Sequence, residues 1–223
     1  MRQLAQTNPK LLRLIGRFHG QPSRFIHPDR WPDDVPQDVP EILQASSNGE
    51  RRLATWIAEH WQLDSAFQHN FDVSRHRIAM LSPQQLESLI LHGGAAIHAD
   101  FITRNIDRAT QSAYKNLLGP DVYNFALKRA GFLTGGLPKA LLDVQIESGN
   151  VAESLLHVGL QCVVTCLHDA PAELRQRVEL MLPPDFPAYR DVPPTADHVD
   201  AIWTFVKRLL LTEIAPELNT CFN

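Results

Sequence analysis

Residues 151–167 read VAESLLHVGLQCVVTCL, and what this nearly continuous apolar run becomes decides the fold. A membrane span needs about 17–25 predominantly apolar residues. This stretch sits at the lower limit, and Glu153, His157 and Gln161 interrupt it with polar groups that are expensive in hydrocarbon. Val163-Val164-Thr165 is the main β-branched run in the chain, but the residues around it keep a helical period rather than alternating. A buried core helix is the reading that satisfies all of these features. One helix apolar on nearly every side requires other helices to surround it.

Those helices are signalled on both sides. Asn8-Pro9 supplies an N-cap with proline at the first helical position, followed by Leu11, Leu12, Ile15 and Phe18 and closed by Gly20. Ser47-Asn48-Gly49-Glu50 has the form of a capping box and opens a stripe of Leu53, Trp56, Ile57, His60 and Trp61. Ser82-Pro83-Gln84-Gln85 is a second such box, ahead of Leu86, Leu89 and Ile90. Gly93-Gly94 interrupts or bends that helix, after which Ile97, Phe101, Ile102 and Ile106 resume the period. Tyr114, Leu117 and Leu118 run into Gly119-Pro120, a stop, and Asp121 caps a helix with the stripe Val122, Phe125, Ala126 and Leu127.

Downstream, Gly135-Gly136 separates elements, Pro138 starts a helix ending near Gly149, and Asn150-Val151-Ala152-Glu153 resembles a third capping box. Pro171 to Leu182 forms a shorter helix cut off by Pro183-Pro184, and a proline-bearing loop runs to Pro194. A final helix from near Thr195 buries Val199, Ile202, Trp203, Val206, Leu209 and Leu210. Short loops joining many helices predict an all-α fold, a compact single domain of about eight or nine helices.

The N-terminal part differs in texture. Pro22, Pro28, Pro32, Pro36 and Pro40 predict an extended, irregular segment, since each proline removes a donor and disfavours helix in the residue before it. It carries Asp29, Asp33, Asp34, Asp38 and Glu41 against Arg30, while Phe25 and Trp31 suit a strip that packs on the body. The expected division is residues 1–45, a helix and a Pro-rich acidic strip, and residues 46–223, a helical body.

Composition bounds the function. The 223 residues carry 21 Lys and Arg against 25 Asp and Glu, a formal charge of −4, which argues against a dedicated nucleic-acid binder. Three cysteines, Cys162, Cys166 and Cys221, are too few for a disulfide framework, and the odd count suits a reducing compartment. The opening MRQLAQTNPK lacks a signal-peptide core. A soluble, cytoplasmic protein without direct membrane insertion is expected.

Candidate chemistry is thin. His168-Asp169 matches the dipeptide that helical metal-dependent phosphohydrolases use to ligate divalent ions. His157 is three helical turns away, about 16 Å, too far to share the ion, so His76, His92 or His98 would have to complete the set. The alternative is an ordinary helix end, where a cation suits the dipole. Cys162 and Cys166 lie one turn apart but lack a second pair for zinc, and read as small buried residues. The paired glycines have no phosphate-loop lysine or preceding strand, and read as hinges or sites of tight helix packing. No catalytic residue, metal or cofactor is assigned. What has character is a basic stretch, Arg104, Arg108, Lys115, Lys128 and Arg129, read either as a solvated face or as a docking surface. An acidic partner or the chain's own strip around Asp33 and Asp34 would complement it.

Several segments carry a resemblance: Phe25-Ile26-His27-Pro28 with Trp31-Pro32; Arg77-Ile78-Ala79-Met80-Leu81; Ile102-Thr103-Arg104-Asn105-Ile106-Asp107-Arg108; Leu117-Leu118-Gly119; and Tyr123-Asn124-Phe125-Ala126-Leu127-Lys128-Arg129-Ala130. Together, across residues 24–132, they resemble the SctK/YscK family, accessory sorting-platform proteins of bacterial type III secretion systems. Arg108 departs from the small residue expected after the aspartate. The resemblance implies a largely helical, non-enzymatic adaptor at the cytoplasmic face of the inner membrane. Its implied partners are the cytoplasmic domain of the inner-membrane ring protein SctD and the pod protein SctQ, with SctL and SctN reached indirectly.

Overall fold

A computed structural model describes residues 8–36, 38–104, 108–142 and 151–222. Its elements, in order, are α1 (Pro9–Gly20), 3-10 turns at Pro22–Phe25 and Pro28–Arg30, α2 (Asp38–Gln44), α3 (Ser47–His60) and a 3-10 segment Ser74–Met80. There follow α4 (Pro83–Ile97), α5 (Ala99–Arg104), α6 (Arg108–Lys128), a 3-10 turn Ala130–Phe132 and α7 (Lys139–Leu142). The chain ends with α8 (Val151–Cys166), α9 (Ala172–Met181), α10 (Val199–Leu209), a π-turn Leu210–Ile214 and α11 (Asn219–Phe222). No strand occurs among the described residues, so the all-α reading is borne out, including the helical state of 163–165. The helix expected from Pro138 is described only as α7; its end near Gly149, the Asn150 cap and Asn105-Ile106-Asp107 lie outside the described residues.

Contacts group the chain into two compact units, each discontinuous in sequence. The first comprises Met1–Leu86, Asp169–Asp185 and Leu218–Asn223; the second comprises Glu87–His168 and Phe186–Glu217.

In the first unit, Asn8 caps α1 by accepting from the Leu11 amide at 3.0 Å, with Pro9 at the first helical position. The α3 cap is Ser46, not Ser47: its Oγ accepts from the Gly49 amide at 3.0 Å. That shift puts Gly49, not Glu50, at the third helical position, so no capping box forms, and Glu50 Oε1 instead accepts from buried Ser23 Oγ at 2.7 Å. The Ser82–Gln85 box does form, with reciprocal bonds of 3.0 and 3.2 Å. The Pro-rich strip is more regular than its prolines suggest, since α2 accommodates Pro40 within its first turn, where the missing amide has no helical acceptor to lose. α2 packs on α3 so closely that a Cβ at Gly49 would stand 2.2 Å from the Leu43 carbonyl oxygen.

Aromatic edges and buried leucines hold this unit together. Phe18 meets Phe25 and Phe71 edge-on at 5.5 and 5.1 Å, and Arg177 lies over Phe18 and Phe67 at 5.4 Å. Ile26, Leu53, Ile57, Leu63 and Leu180 form a core cluster, with Trp31, Trp56 and Trp61 against it. Of the expected α3 stripe, Leu53 and Ile57 are buried, the tryptophans are half-buried, and His60 is exposed, stacked on Trp56 at 4.8 Å.

In the second unit, α8 is the helix that the opening stretch foretold, with Leu155, Val158, Leu160, Cys162, Val163, Val164 and Cys166 all buried. It packs against α10. α4 runs unbroken through Gly93-Gly94, so these glycines do not interrupt the helix. They let α8 approach: a Cβ on Gly94 would meet the Leu155 carbonyl oxygen at 2.1 Å, and one on Gly159 would meet the Ile90 carbonyl oxygen at 2.1 Å. Backbone-to-backbone contact of this kind is open only to glycine. α6 breaks where expected, at Gly119, whose φ of 71° and ψ of 166° separate two helical halves before Pro120. Tyr114, Leu118, Val122, Tyr123 and Ala126 of α6 pack with Ala95, Ile102 and Leu155, while Leu127 is 40% exposed rather than part of the stripe. On α10, Ile202, Phe205, Val206 and Leu209 are buried; Val199 and Trp203 are half-buried.

Candidate protein-binding surfaces

The basic residues singled out in the sequence all lie in the second unit, at three places. Arg104 ends α5, with its side chain 82% exposed and paired at 3.3 Å with Asp100, itself 85% exposed. Arg108 and Lys115 are exposed and seven residues apart on the first half of α6, which puts them on one side of that half. The Lys115 ammonium rests 5.3 Å from the Tyr123 ring centre. Lys128 and Arg129 follow at the end of the second half, also exposed. Arg129 is partly engaged at home, 2.9 Å from Glu213 and 5.7 Å from the Phe125 ring centre.

Asp33 and Asp34, in the first unit, are exposed on the loop before α2. Asp34 stands at the edge of an apolar groove of about 330 Å³ between that loop, α2 and α3. Sequence reading found the acidic strip and the packed tryptophans separately. It missed the groove, because nothing in residue spacing shows that Trp31 and Trp56 stack face to face.

The residues expected to hold a metal have other employment. His168 Nδ1 donates to the Thr165 carbonyl, 3.1 Å away at the end of α8. Asp169 accepts from Arg75 at 2.5 Å and lies 2.9 Å from His76 Nε2. His76 Nδ1 is in turn 3.2 Å from His69 Nε2, and the His69 carbonyl and amide lie 3.0 and 3.3 Å from His19 Nε2. Three histidines and a carboxylate thus form a chain within the first unit. Burial first, then neighbouring positive charge, holds His69 below the ordinary imidazole range; burial also dominates the lowering at His19. Among the described residues no group of three or more His, Cys, Asp or Glu converges as a metal site would require. The phosphohydrolase alternative therefore finds no support. Cys162, Cys166 and Cys221 are buried thiols outside any disulfide, and burial pushes the Cys162 thiol up to about 12. That is a packing residue, not a nucleophile.

These observations define a class: an all-helical protein whose buried polar groups serve its own architecture and whose exposed charges and groove face outward. No helix among the described residues is long and apolar enough to cross a membrane. The chain belongs to the YscK family, described as YOP proteins translocation protein K, which matches residues 16–219 of 223. It is accordingly a type III secretion protein, from a family of structural and accessory components. No curated protein and no solved structure matched the chain.

Proposed function

We propose that this protein is a non-enzymatic adaptor of the secretion system's cytoplasmic sorting platform, linking the cytoplasmic domain of an SctD-type ring protein to an SctQ-type pod protein. The observation that carries the reading is the family match across residues 16–219, which spans both structural units rather than a single motif. The secretion role follows from membership; the partners follow from the resemblance of the segments quoted above. SctL and SctN are reached through SctQ, and the protein works at the cytoplasmic face of the inner membrane without inserting into it.

The physical chemistry supports an adaptor. The exposed Arg104, Arg108, Lys115, Lys128 and the free face of Arg129 form the basic side offered to partners, with Asp33 and Asp34 as the acidic one. Contacts through such exposed charges tune encounter and specificity and weaken with salt. Co-purification of the full chain with SctQ and with the SctD cytoplasmic domain tests the reading. Association with both, competing with neither, is expected. Failure of both at micromolar concentration and moderate salt overturns it. Charge reversal at Arg104 and Arg108 is expected to weaken one of the two associations, and unchanged affinity for both removes those residues from the interface.

A further inference from the structure

The groove in the first unit has a composition that specifies its occupant. Trp31, Val35, Pro36, Val39, Leu43, Leu53 and Trp56 line it, with Asp34 and Arg52 as its charged members. Trp31 and Trp56 stack with their planes 9° apart and their centres 5.9 Å apart, and Trp61 braces each of them edge-on at 5.8 and 5.6 Å. This wall is preorganised, so an incoming group spends little free energy on ordering it. The groove's volume of about 330 Å³ lies at the small end for ligand clefts and has room for a few anchoring side chains. α2, which forms one side, also carries Ile42, 62% exposed, so apolar surface continues beyond the lining.

Around this apolar floor carboxylates outnumber cations, with Arg52 the groove's own basic member. Residues 29–41 hold five carboxylates, Asp29, Asp33, Asp34, Asp38 and Glu41, against one arginine. That arginine is turned away: Arg30 Nε donates to the Leu182 carbonyl at 2.6 Å and its guanidinium reaches the Pro183 carbonyl. Asp33, Asp34, Asp38 and Glu41 are exposed. Trp56 already carries Trp31 and His60 stacked on it, so Trp31, beside carboxylates that outnumber Arg52, is the ring that attracts a cation, together with the negative field. A second copy of this chain docking by the same surface would set five carboxylates against five, so self-association is disfavoured here.

We propose that this groove receives a peptide segment of another protein that presents an aliphatic or aromatic anchor with a Lys or Arg within about one helical turn of it. The anchor enters against Val39, Leu43 and Leu53. The cation lies against Trp31 and the carboxylates of Asp33 and Asp34. The inference concerns the recognition chemistry of this surface and holds whichever assembly the protein joins.

The test pans a random peptide display library against the full-length protein, with Val39→Glu as the counter-target, and measures the selected peptides by fluorescence anisotropy and by tryptophan emission. The expected peptides pair an apolar anchor with a basic residue and lose about tenfold or more in affinity for Val39→Glu, which puts a carboxylate on the apolar floor. Against Asp33→Lys/Asp34→Lys they lose affinity several-fold, and their salt dependence flattens. Both aspartates are exposed, so this second variant folds and decides the matter even if Val39→Glu does not. Absence of enrichment, enrichment of acidic sequences, or affinities indifferent to the double charge reversal overturns the proposal. So does sedimentation showing a concentration-dependent dimer that Val39→Glu abolishes.

Discussion

The two units solve the same problem, burying helices, by opposite means. In the second, α4 and α8 meet backbone to backbone through Gly94 and Gly159, and the core of Leu155, Tyr114 and Ala126 is filled by side chains at helical spacing. In the first, the elements are shorter and polar groups do much of the joining. The His27 amide donates to the Leu180 carbonyl at 2.9 Å, Gln176 to the Trp61 carbonyl at 2.9 Å, and Arg77 to the carbonyls of Phe71 and Cys221. Close packing tolerates little added volume, whereas a polar network tolerates little subtraction. The units should therefore break differently.

The largest effect is expected from adding volume to the second unit. Gly159→Leu places a branched side chain where even a Cβ lies 2.1 Å from the Ile90 carbonyl oxygen, and backbone, unlike a side-chain tip, has no rotamer to escape into. Chemical denaturation should show a loss of about 3 kcal/mol or more. No loss, or the gain of about 0.5–1 kcal/mol that replacing glycine brings at an exposed helix position, means that α4 and α8 do not touch there.

Subtraction from the first unit comes next. Arg77 is 6% exposed, with Nε on the Phe71 carbonyl at 2.9 Å and Nη1 on the Cys221 carbonyl at 2.7 Å. Phe71 is fully buried with φ of +55°, a left-handed conformation that a phenylalanine holds only when its surroundings insist. Arg77→Ala leaves two buried carbonyls unpaired and releases that constraint, for an expected loss of about 2–3 kcal/mol by the same measurement. Arg77→Lys should recover less than half, because an ammonium cannot span two acceptors as the guanidinium fork does. Full recovery would make the charge, not the bridge, the stabilising feature.

This contrast also explains what the residues alone disclosed. The second unit was legible because α8, α10 and the Gly119-Pro120 break depend on periodicity and backbone chemistry within a few residues. Even there Gly93-Gly94 misled, since the same dipeptide that bends an exposed helix permits close contact in a packed one. The first unit was less legible because its bonds join residues far apart in sequence: Ser23 donates to Glu50, and Arg30 reaches across to Leu182. The metal reading of His168-Asp169 failed for the same reason, as Arg75 and His76, ninety-odd positions earlier, occupy the carboxylate. The basic and acidic side chains were found because charge is visible in composition, whereas the groove needed the stacking of Trp31 on Trp56.

Acid sharpens the comparison. His19 and His69 in the first unit, and His92 and His98 in the second, all have pKa values lowered below the ordinary 6.5, chiefly by burial. The unfolded chain thus binds protons more readily, so stability is fully present above pH 6.5 and falls as pH drops below it. In the first unit His69 faces His76, His19 and Asp72, and His19 faces Arg177, so protonation there adds repulsion that Asp72, with Asp169 on the far side of His76, only partly offsets. His92 instead has Glu213 and Asp121 nearby against Arg129. Denaturation midpoints followed from pH 7.5 to 5 should fall, and His69→Gln should flatten that slope more than His92→Gln. Equal flattening would deny the first unit its special sensitivity.

Gains in helix propensity and simple surface changes lie at the small end. Gly16 in α1 has nothing within 4 Å of a built Cβ, so Gly16→Ala should add about 0.5–1 kcal/mol by lowering unfolded-state entropy. The least effect on folding is expected from Arg104→Glu, where the ion pair with Asp100 is exposed on both sides and contributes less than about 0.5 kcal/mol. That indifference makes the position useful. Arg104→Glu with Arg108→Glu alters the outward charge of the second unit while leaving its glycine-packed core untouched, so any loss of partner association belongs to recognition. If the same double variant lowers the thermal midpoint by more than a few degrees, those arginines hold the α5–α6 junction together, and the basic stretch is architecture rather than interface.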